Sequence, residues 1–348
     1  MPVEHDADVR NAFRGKRCLI TGGLGFIGSS LALELVNLGA QVTVIDNLLP
    51  NHGGNLFNIA PARDRIEVNL GDILSESVMA YLVRDRDYIF HLAGQVSHVL
   101  SMSNPFPDID INVRGTAVLM EAVKHHNPQA YVIHTGTRGQ YGAATKLPVN
   151  EDAPMAPKGI YELTNLTAER IIQIYSQNFS ISSVLLRLTN IYGPRAQMLH
   201  SHFGVVNWFV RQILDGRPIQ LFGDGSILRD FVYVDDAVEA CLVAAVRSEG
   251  RGEVYNVGND KPTSFRQLAE TMIRAAKRGE YVFTEFTPER KAQEPGNFYS
   301  DITKARTRLR WEPKTELHDG LVRTLDYYRQ HREHYWTVET RSAGGRAT

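Results

Sequence analysis

Short apolar runs recur along the first two-thirds of the chain, and each is followed within a few residues by glycine, aspartate or asparagine. The first, Arg17-Cys18-Leu19-Ile20, leads into Thr21-Gly22-Gly23-Leu24-Gly25-Phe26-Ile27-Gly28. Leu31, Leu35 and Leu38 then recur at helical spacing, and Gly39 closes the segment. A second run, Gln41-Val42-Thr43-Val44-Ile45, ends at Asp46. Strand, glycine turn, helix, strand is the opening of a doubly wound sheet.

The alternation continues. Strands are predicted at Arg65–Val68, Tyr88–Leu92, Tyr131–His134 and Val184–Leu188. Helices are predicted over 108–126, where Ile111, Val118, Leu119 and Val123 form an apolar stripe, and over 160–179. After Asn190 the rhythm breaks into turns, one helix near 204–214 and a glycine-rich loop at Phe222-Gly223-Asp224-Gly225. A strand and helix follow over 231–247, then a strand at Val254–Val257.

The pattern predicts the α/β class: a Rossmann doubly wound parallel sheet with a smaller C-terminal α/β substrate domain. The first domain takes 15–190 plus about 230–258, and the second takes 191–229 and 259–335. Residues 1–14 and 340–348 are expected to be flexible ends.

Composition narrows the function classes. The 348 residues carry a net charge of −1, without the basic excess of a nucleic-acid binder. No apolar stretch is long enough to span a bilayer, and the segment up to Arg17 has no signal-peptide core. A cytoplasmic location is expected, with neither nucleic acid nor membrane as partner. The two cysteines, Cys18 and Cys241, are too few for a disulfide framework, and Cys18 lies in an apolar run that predicts a core position.

Gly23-x-Gly25-x-x-Gly28 follows a strand and opens a helix, the context in which such a loop cradles a dinucleotide pyrophosphate. Asp46 stands at the end of the second strand, where a carboxylate accepts hydrogen bonds from a ribose diol and repels a 2′-phosphate. Asn47 and Leu48 follow and offer no cation, so the expected cofactor is NAD rather than NADP. Asp72, after the third strand, reads equally as an adenine contact or a loop cap.

Several segments in order resemble the extended short-chain dehydrogenases, the NAD-dependent sugar epimerase/dehydratase group. They are the Thr21–Gly28 loop, His91-Leu92-Ala93-Gly94-Gln95, Asn112-Val113-Arg114-Gly115-Thr116, Leu188–Arg195 and Arg229–Asp236. The resemblance spans roughly 15–330 and is closest in pattern to UDP-glucose 4-epimerases. It implies a nucleotide-diphosphate sugar as substrate and a homodimer packed through the helices near 108–126 and after Tyr161, with Ile171, Ile174 and Tyr175 as apolar candidates. It places Gly22, Gly25, Phe26, Ile27, Gly28, Asp46, Asn47, Asp72, Ile73, Leu92, Ala93, Gln95 and Asn112 at the cofactor. Thr137 falls on the catalytic Ser/Thr position, Tyr161 on the catalytic tyrosine and Asn165 on the third catalytic position, and Tyr161 and Asn165 are also placed at the cofactor. Ser97, Arg138, Asn190, Asn207 and Arg229 fall on the substrate side.

Three residues depart from that group. Its members carry a lysine four residues after the tyrosine, one turn along the same helix face, whose charge lowers the tyrosine pKa. This chain has Asn165, which can bond a ribose but brings no charge. Three readings follow: slower chemistry with NAD⁺ alone depressing the pKa, another base such as His98 or His134, or binding without turnover. The dehydratases and decarboxylases of the group place acids just after the threonine; here Arg138-Gly139-Gln140 follows, which turns the expectation toward an epimerase, most simply at C4, with a dehydratase or a 4-keto-sugar reductase as alternatives. Arg138 reads either as a contact to an anionic substrate group or as a surface salt bridge. Where relatives clamp phosphate with an arginine before Pro-Gly, this chain has Glu294, so diphosphate binding would rest on Arg229, with Arg290 as a substitute. Asn207 is a candidate for the diphosphate or the sugar. His200 and His202 have no third ligand beside them, so no metal is expected.

Overall fold

The computed structural model describes residues 6–288, 291 and 294–337. Seven strands form one parallel sheet: β1 (Arg17–Thr21), β2 (Gln41–Asp46), β3 (Ile66–Leu70), β4 (Tyr88–His91), β5 (Tyr131–Thr137), β6 (Ser183–Leu188) and, far along the chain, β11 (Arg251–Val257). Their order is β11-β6-β5-β4-β1-β2-β3. Every residue of β6 is buried, as expected of a strand covered by helices on both faces.

Two apolar layers sandwich the sheet. On one face α2 (Phe26–Asn37) packs beside α9 (Val234–Arg247) over Ile20, Val44, Phe90 and Leu186. On the other, α3 (Glu76–Leu82), α6 (Gly115–His126) and α7 (Ile160–Phe179) cover Leu19, Ile45, Ile89 and Leu185. Neighbouring strands point alternate side chains to opposite faces, so both layers need apolar residues in near-continuous runs.

Strand order reverses between β1 and β4, where Thr21 stands opposite both Ile45 and His91. A crevice opens outside the carboxyl ends of strands at such a switch point. Short helices α4 (His98–Ser103) and α5 (Phe106–Asp108) and a π-helical turn, Ile109–Arg114, lead into α6 beside it. The expected helix over 108–126 therefore carries a π turn at Asn112, a feature frequent at functional sites.

The second lobe is built from separate stretches. β7 (Asn190–Tyr192) pairs with β10 (Phe231–Tyr233), β8 (Ile219–Phe222) with β13 (Tyr281–Thr284), and β9 (Leu228–Arg229) with β12 (Thr263–Ser264). Helices α8 (Val205–Leu214), α10 (Phe265–Ala276) and α11 (Leu317–His331) pack together around these pairs. A capping box between Ser264 and Gln267 starts α10.

The N-terminus differs from expectation. Ala7–Phe13 forms α1, with Val9 and Phe13 buried and the Phe13 ring 4.9 Å from that of Tyr88. Arg247 pairs with Asp8 at 3.0 Å and anchors the segment further. Two apolar side chains one helical turn apart suffice to dock it. The expected flexible end at 340–348 lies outside the described residues. Cys18 and Cys241 are buried free thiols, as the sequence predicts for Cys18.

Candidate active site

A cleft of about 1030 Å³ runs from the glycine turn, past the ends of β4 and β5, to the second lobe. The backbone builds its floor at one end. Gly22 has φ +69°, and a Cβ there would lie 2.8 Å from the Ala93 nitrogen. A Cβ on Gly28 would lie 2.2 Å from the Gly22 carbonyl oxygen. The helix thus starts hard against the turn, and its free N–H groups face the cleft.

Polar side chains lock this end. The Ala93 N–H donates to Thr21 Oγ1 at 3.1 Å, Thr21 Oγ1 meets His91 Nδ1 at 2.8 Å, and His91 Nε2 meets Thr116 Oγ1 at 3.0 Å. Burial holds His91 well below the usual histidine range, so the ring bridges the two hydroxyls in its neutral form. Asp46 accepts from the N–H of Leu24 at 3.1 Å and of Leu48 at 2.9 Å. Burial raises its carboxyl above the ordinary aspartate value, against the pull of those two bonds. Asp72 accepts from the Leu74 N–H at 2.9 Å and from Asn47 Nδ2 at 3.1 Å. It is therefore a loop cap that also lines the cleft.

Asn112 lines the cleft with its amide fully engaged in the protein. It accepts from the Gln95 N–H at 2.8 Å and donates to the Gln95 carbonyl at 3.2 Å and to Thr164 Oγ1 at 3.1 Å. It ties the β4 loop to α7 and so sets where Tyr161 stands.

The residues fit a dinucleotide. The glycine turn leaves room for a pyrophosphate, Asp46 stands at the ribose position, and His134 lines the cleft with both ring nitrogens buried and without a partner among the described residues. Burial lowers the His134 pKa to about 4, so the ring is neutral near pH 7 and poorly suited as the proton acceptor.

Farther along, Thr137 ends β5 and caps the turn Arg138–Tyr141, its Oγ1 accepting from the Gly139 N–H at 3.1 Å. Tyr161 lies in the first turn of α7 and lines the cleft together with Thr137. Burial pushes the Tyr161 phenol up to about 12; the Thr137 hydroxyl lowers it, Glu162 and Asp108 raise it, and Arg138 lowers it. Asn165 donates its Nδ2–H to the carbonyl of Tyr161, 2.8 Å away, within its own helix. Nothing at position 165 supplies positive charge.

The sequence reading missed the acids around Tyr161. Glu162 Oε1 meets His98 Nδ1 at 2.6 Å, while Glu162 Oε2 is buried and unpartnered among the described residues. Asp108 is fully buried, both its oxygens are likewise unpartnered, and burial with the nearby Glu162 charge raises it to about 6. The place of Glu162 right after Tyr161 was a usable signal. Asp108 gave none, since only the fold brings it there.

The five substrate-side residues differ in placement. Ser97 is buried outside the cleft lining, and its Oγ accepts from the Leu100 N–H at 3.1 Å to cap α4. Asn207 lines the cleft, but its amide holds the backbone of Gly193, accepting from its N–H at 3.2 Å and donating to its carbonyl. Asn190 also lines the cleft and donates to the Asp230 carbonyl at 3.1 Å. Arg229 ends β9 at the cleft, where it donates to the Gly296 carbonyl at 2.6 Å and forms an ion pair with Glu294. The residue that replaces the expected phosphate-binding arginine thus neutralises the other one. Arg290 lies outside the described residues. Arg138 is no surface salt bridge: it lines the cleft, 4.9 Å over the Phe298 ring.

This combination defines a class: a doubly wound sheet with a dinucleotide cradle and a threonine–tyrosine pair in one cleft. The model of the NAD dependent epimerase/dehydratase family matches residues 18–258, and the chain belongs to that family. It is 35% identical to a UDP-glucose 4-epimerase of Mycolicibacterium smegmatis over 90% of this chain and 98% of the relative. The UDP-glucose 4-epimerase of Thermotoga maritima, solved with UDP-glucose, superposes with a TM-score of 0.82 at 31% identity over 91% of this chain and 99% of that one. The dTDP-glucose 4,6-dehydratase of Streptomyces venezuelae, solved with NAD bound, gives a TM-score of 0.83 at 26% identity over 91% and 98%. Relatives on both sides of the epimerase–dehydratase divide thus share the fold across their full length.

Proposed function

We propose that the protein is an NAD-dependent nucleotide-sugar epimerase, acting on the sugar carbon, most simply C4, whose hydroxyl meets Thr137 and Tyr161. The observation that carries the reading is that Thr137 and Tyr161 line one cleft, with Arg138 and Gly139 instead of acids right after Thr137. Elimination of water needs a proton donor for the leaving hydroxyl. Glu162, a carboxyl in the cleft lining, is bound through Oε1 to His98.

Gly22, Gly25, Gly28 and Asp46 would hold the cofactor, which when bound supplies reversible hydride acceptance. Thr137 orients the sugar hydroxyl. Tyr161 removes its proton and returns it once the sugar has presented its other face. A phenol near 12 is a strong base in its ionised form, but that form is scarce at neutral pH, so the chemistry is slow below pH 9.

The test incubates purified protein and NAD⁺ with UDP-, dTDP-, CDP- and GDP-sugars and follows products by chromatography with mass detection. A product of unchanged mass, absent with Tyr161→Phe, is expected. Loss of one water or one carbon dioxide would replace the reading with dehydration or decarboxylation. Fluorescence titration with NADH and NADPH accompanies it, with NADH expected to bind tighter because Asp46 repels a 2′-phosphate.

A further inference from the structure

Arg138 occupies a place where a guanidinium has no evident partner. It is the residue after Thr137, and the turn that Thr137 caps fixes its backbone. Its side chain lines the cleft, partly buried, with Cζ 4.9 Å from the centre of the ring of Phe298, itself 1% exposed. Among the described residues it makes no hydrogen bond and no ion pair. Stacking on an aromatic face engages the plane of a guanidinium and leaves its edge donors free.

The acids that face it have other partners. Glu162 binds His98 through Oε1, with Oε2 unpartnered among the described residues, and Glu294 binds Arg229. Asp230 accepts from the N–H groups of Asn259 at 3.0 Å and Ser300 at 3.1 Å. Arg138 therefore holds positive charge in the cleft with its hydrogen-bonding edge unused. A partly desolvated guanidinium favours a carboxylate, which accepts two parallel N–H bonds in one plane.

We propose that Arg138 recognises a carboxylate carried by the sugar, so that the substrate is a nucleotide uronic acid. The inference rests on the epimerase reading above. The sugar, and not the diphosphate, is assigned because Arg138 adjoins Thr137, which shares the cleft lining with Tyr161, the group proposed at the reacting hydroxyl. Phe298 and the Thr137 turn hold the guanidinium in place before any ligand arrives, which reduces the ordering cost of binding.

The test titrates the NAD-loaded protein calorimetrically with UDP, UDP-glucose and UDP-glucuronate, in the wild type, Arg138→Gln and Arg138→Lys. The wild type is expected to bind UDP-glucuronate at least about tenfold more tightly than UDP-glucose. Arg138→Gln should weaken UDP-glucuronate by about 100-fold, the range for a charged hydrogen-bonded pair, and UDP-glucose or UDP by at most a few-fold. Arg138→Lys, which keeps the charge without the fork, should recover part of the loss. Equal weakening of UDP itself would place Arg138 on the diphosphate and overturn the proposal. A wild type that binds or epimerises UDP-glucose in preference to UDP-glucuronate would also overturn it, while leaving the epimerase reading standing. Binding of no nucleotide sugar would remove both.

Discussion

Substituting Asn165→Lys places an ammonium one helical turn beyond Tyr161, on the face that now carries a neutral amide. Side chains four apart on a helix stand about 6 Å from one another. At an effective dielectric of about 20, one charge at that separation stabilises the phenolate by roughly 2.8 kcal/mol. That corresponds to roughly two pKa units. The buried acids work in favour of the change. Glu162 and Asp108 now raise Tyr161, and an ammonium among them compensates their field. The site is 9% exposed, so the lysine pays a desolvation cost that trims the shift toward one unit.

The assay is the pH dependence of kcat/KM for the sugar found by the panel. Tyrosinate is the active form, so the rate rises about tenfold per pH unit below its pKa and levels off above it. In the wild type the rise should continue beyond pH 9. In Asn165→Lys the plateau should begin one to two units lower, by the shift of roughly 2.8 kcal/mol worked above. At pH 8 the variant should be about ten- to hundredfold faster, the lower figure reflecting the weaker base. Any charge on the bound cofactor acts on both proteins and cancels in the difference. Equal limbs in the two proteins, with NADH affinity unchanged, would refute the premise that charge at position 165 tunes Tyr161 and would point to His98 as the base.

Other consequences are open to direct measurement. Glu294→Gln releases Arg229 from its ion pair, so UDP affinity should rise about tenfold and become more salt-dependent; unchanged affinity would show that Arg229 does not reach the nucleotide. Glu169→Gln leaves Arg187, 3% exposed and bonded through Nε and Nη2 to Glu169, without a counter-charge; a loss of about 3 kcal/mol is expected. For a chain of this length that lowers Tm by about 4 °C, and calorimetry showing no drop would count against it. Val99, Met102, Phe106, Ile109 and Leu163 are exposed apolar side chains on α4, α5, the π turn and the start of α7. A homodimer through this face is expected, and Phe106→Glu should shift sedimentation to the monomer; a monomeric wild type at micromolar concentration would dismiss it.

Much of the fold was legible because parallel strands buried on both faces must be apolar throughout, and the chain must turn sharply after each. The Ile20, Ile45, Phe90 and Ile133 runs and their glycine or aspartate endings followed directly. The N-terminal helix was not legible, since a mostly polar stretch reveals its docking only through Val9 and Phe13. Within the site, the glycine turn, Asp46, Thr137 and Tyr161 line one cleft, a placement that follows from strand ends and helix starts. Side-chain direction was not. Ser97 adjoins a cleft segment yet turns away to cap a helix, and Asn207 turns its amide to Gly193. Period-based reasoning gives the element and its face, but loop side chains obey no period.

The dimer expectation shows the same boundary. Ile171, Ile174 and Tyr175 share a helix face by spacing, yet only Ile174 is exposed. Ile171 and Tyr175 pack on the layer over the sheet, and the Tyr175 hydroxyl donates to Glu121. The exposed apolar face lies nearer the start of the helix, where Leu163 joins α4 and α5. Sequence spacing placed these residues on one helix; only the packing decided which side of it water sees.

The departures from the family pattern are also linked in space. Asn165 removes a cation beside Tyr161, Glu294 cancels the charge of Arg229, and Arg138 adds a cation next to Thr137. Read singly from the sequence, the first two argue for a weakened enzyme. In the fold all three line one cleft, and their sum is a displacement of positive charge from positions 165 and 229 to Arg138. Charge in a partly desolvated cleft is strongly felt by a bound anion. Such a displacement favours a substrate whose own negative charge extends beyond its diphosphate, and it leaves Arg138 as a cation coupled to the tyrosine. A uronic acid would bind between Arg138 and Tyr161 at the cost of weakening that coupling, so the loss of the lysine and the gain of the arginine are best tested together, in the Asn165→Lys and Arg138→Gln double variant compared with each single change.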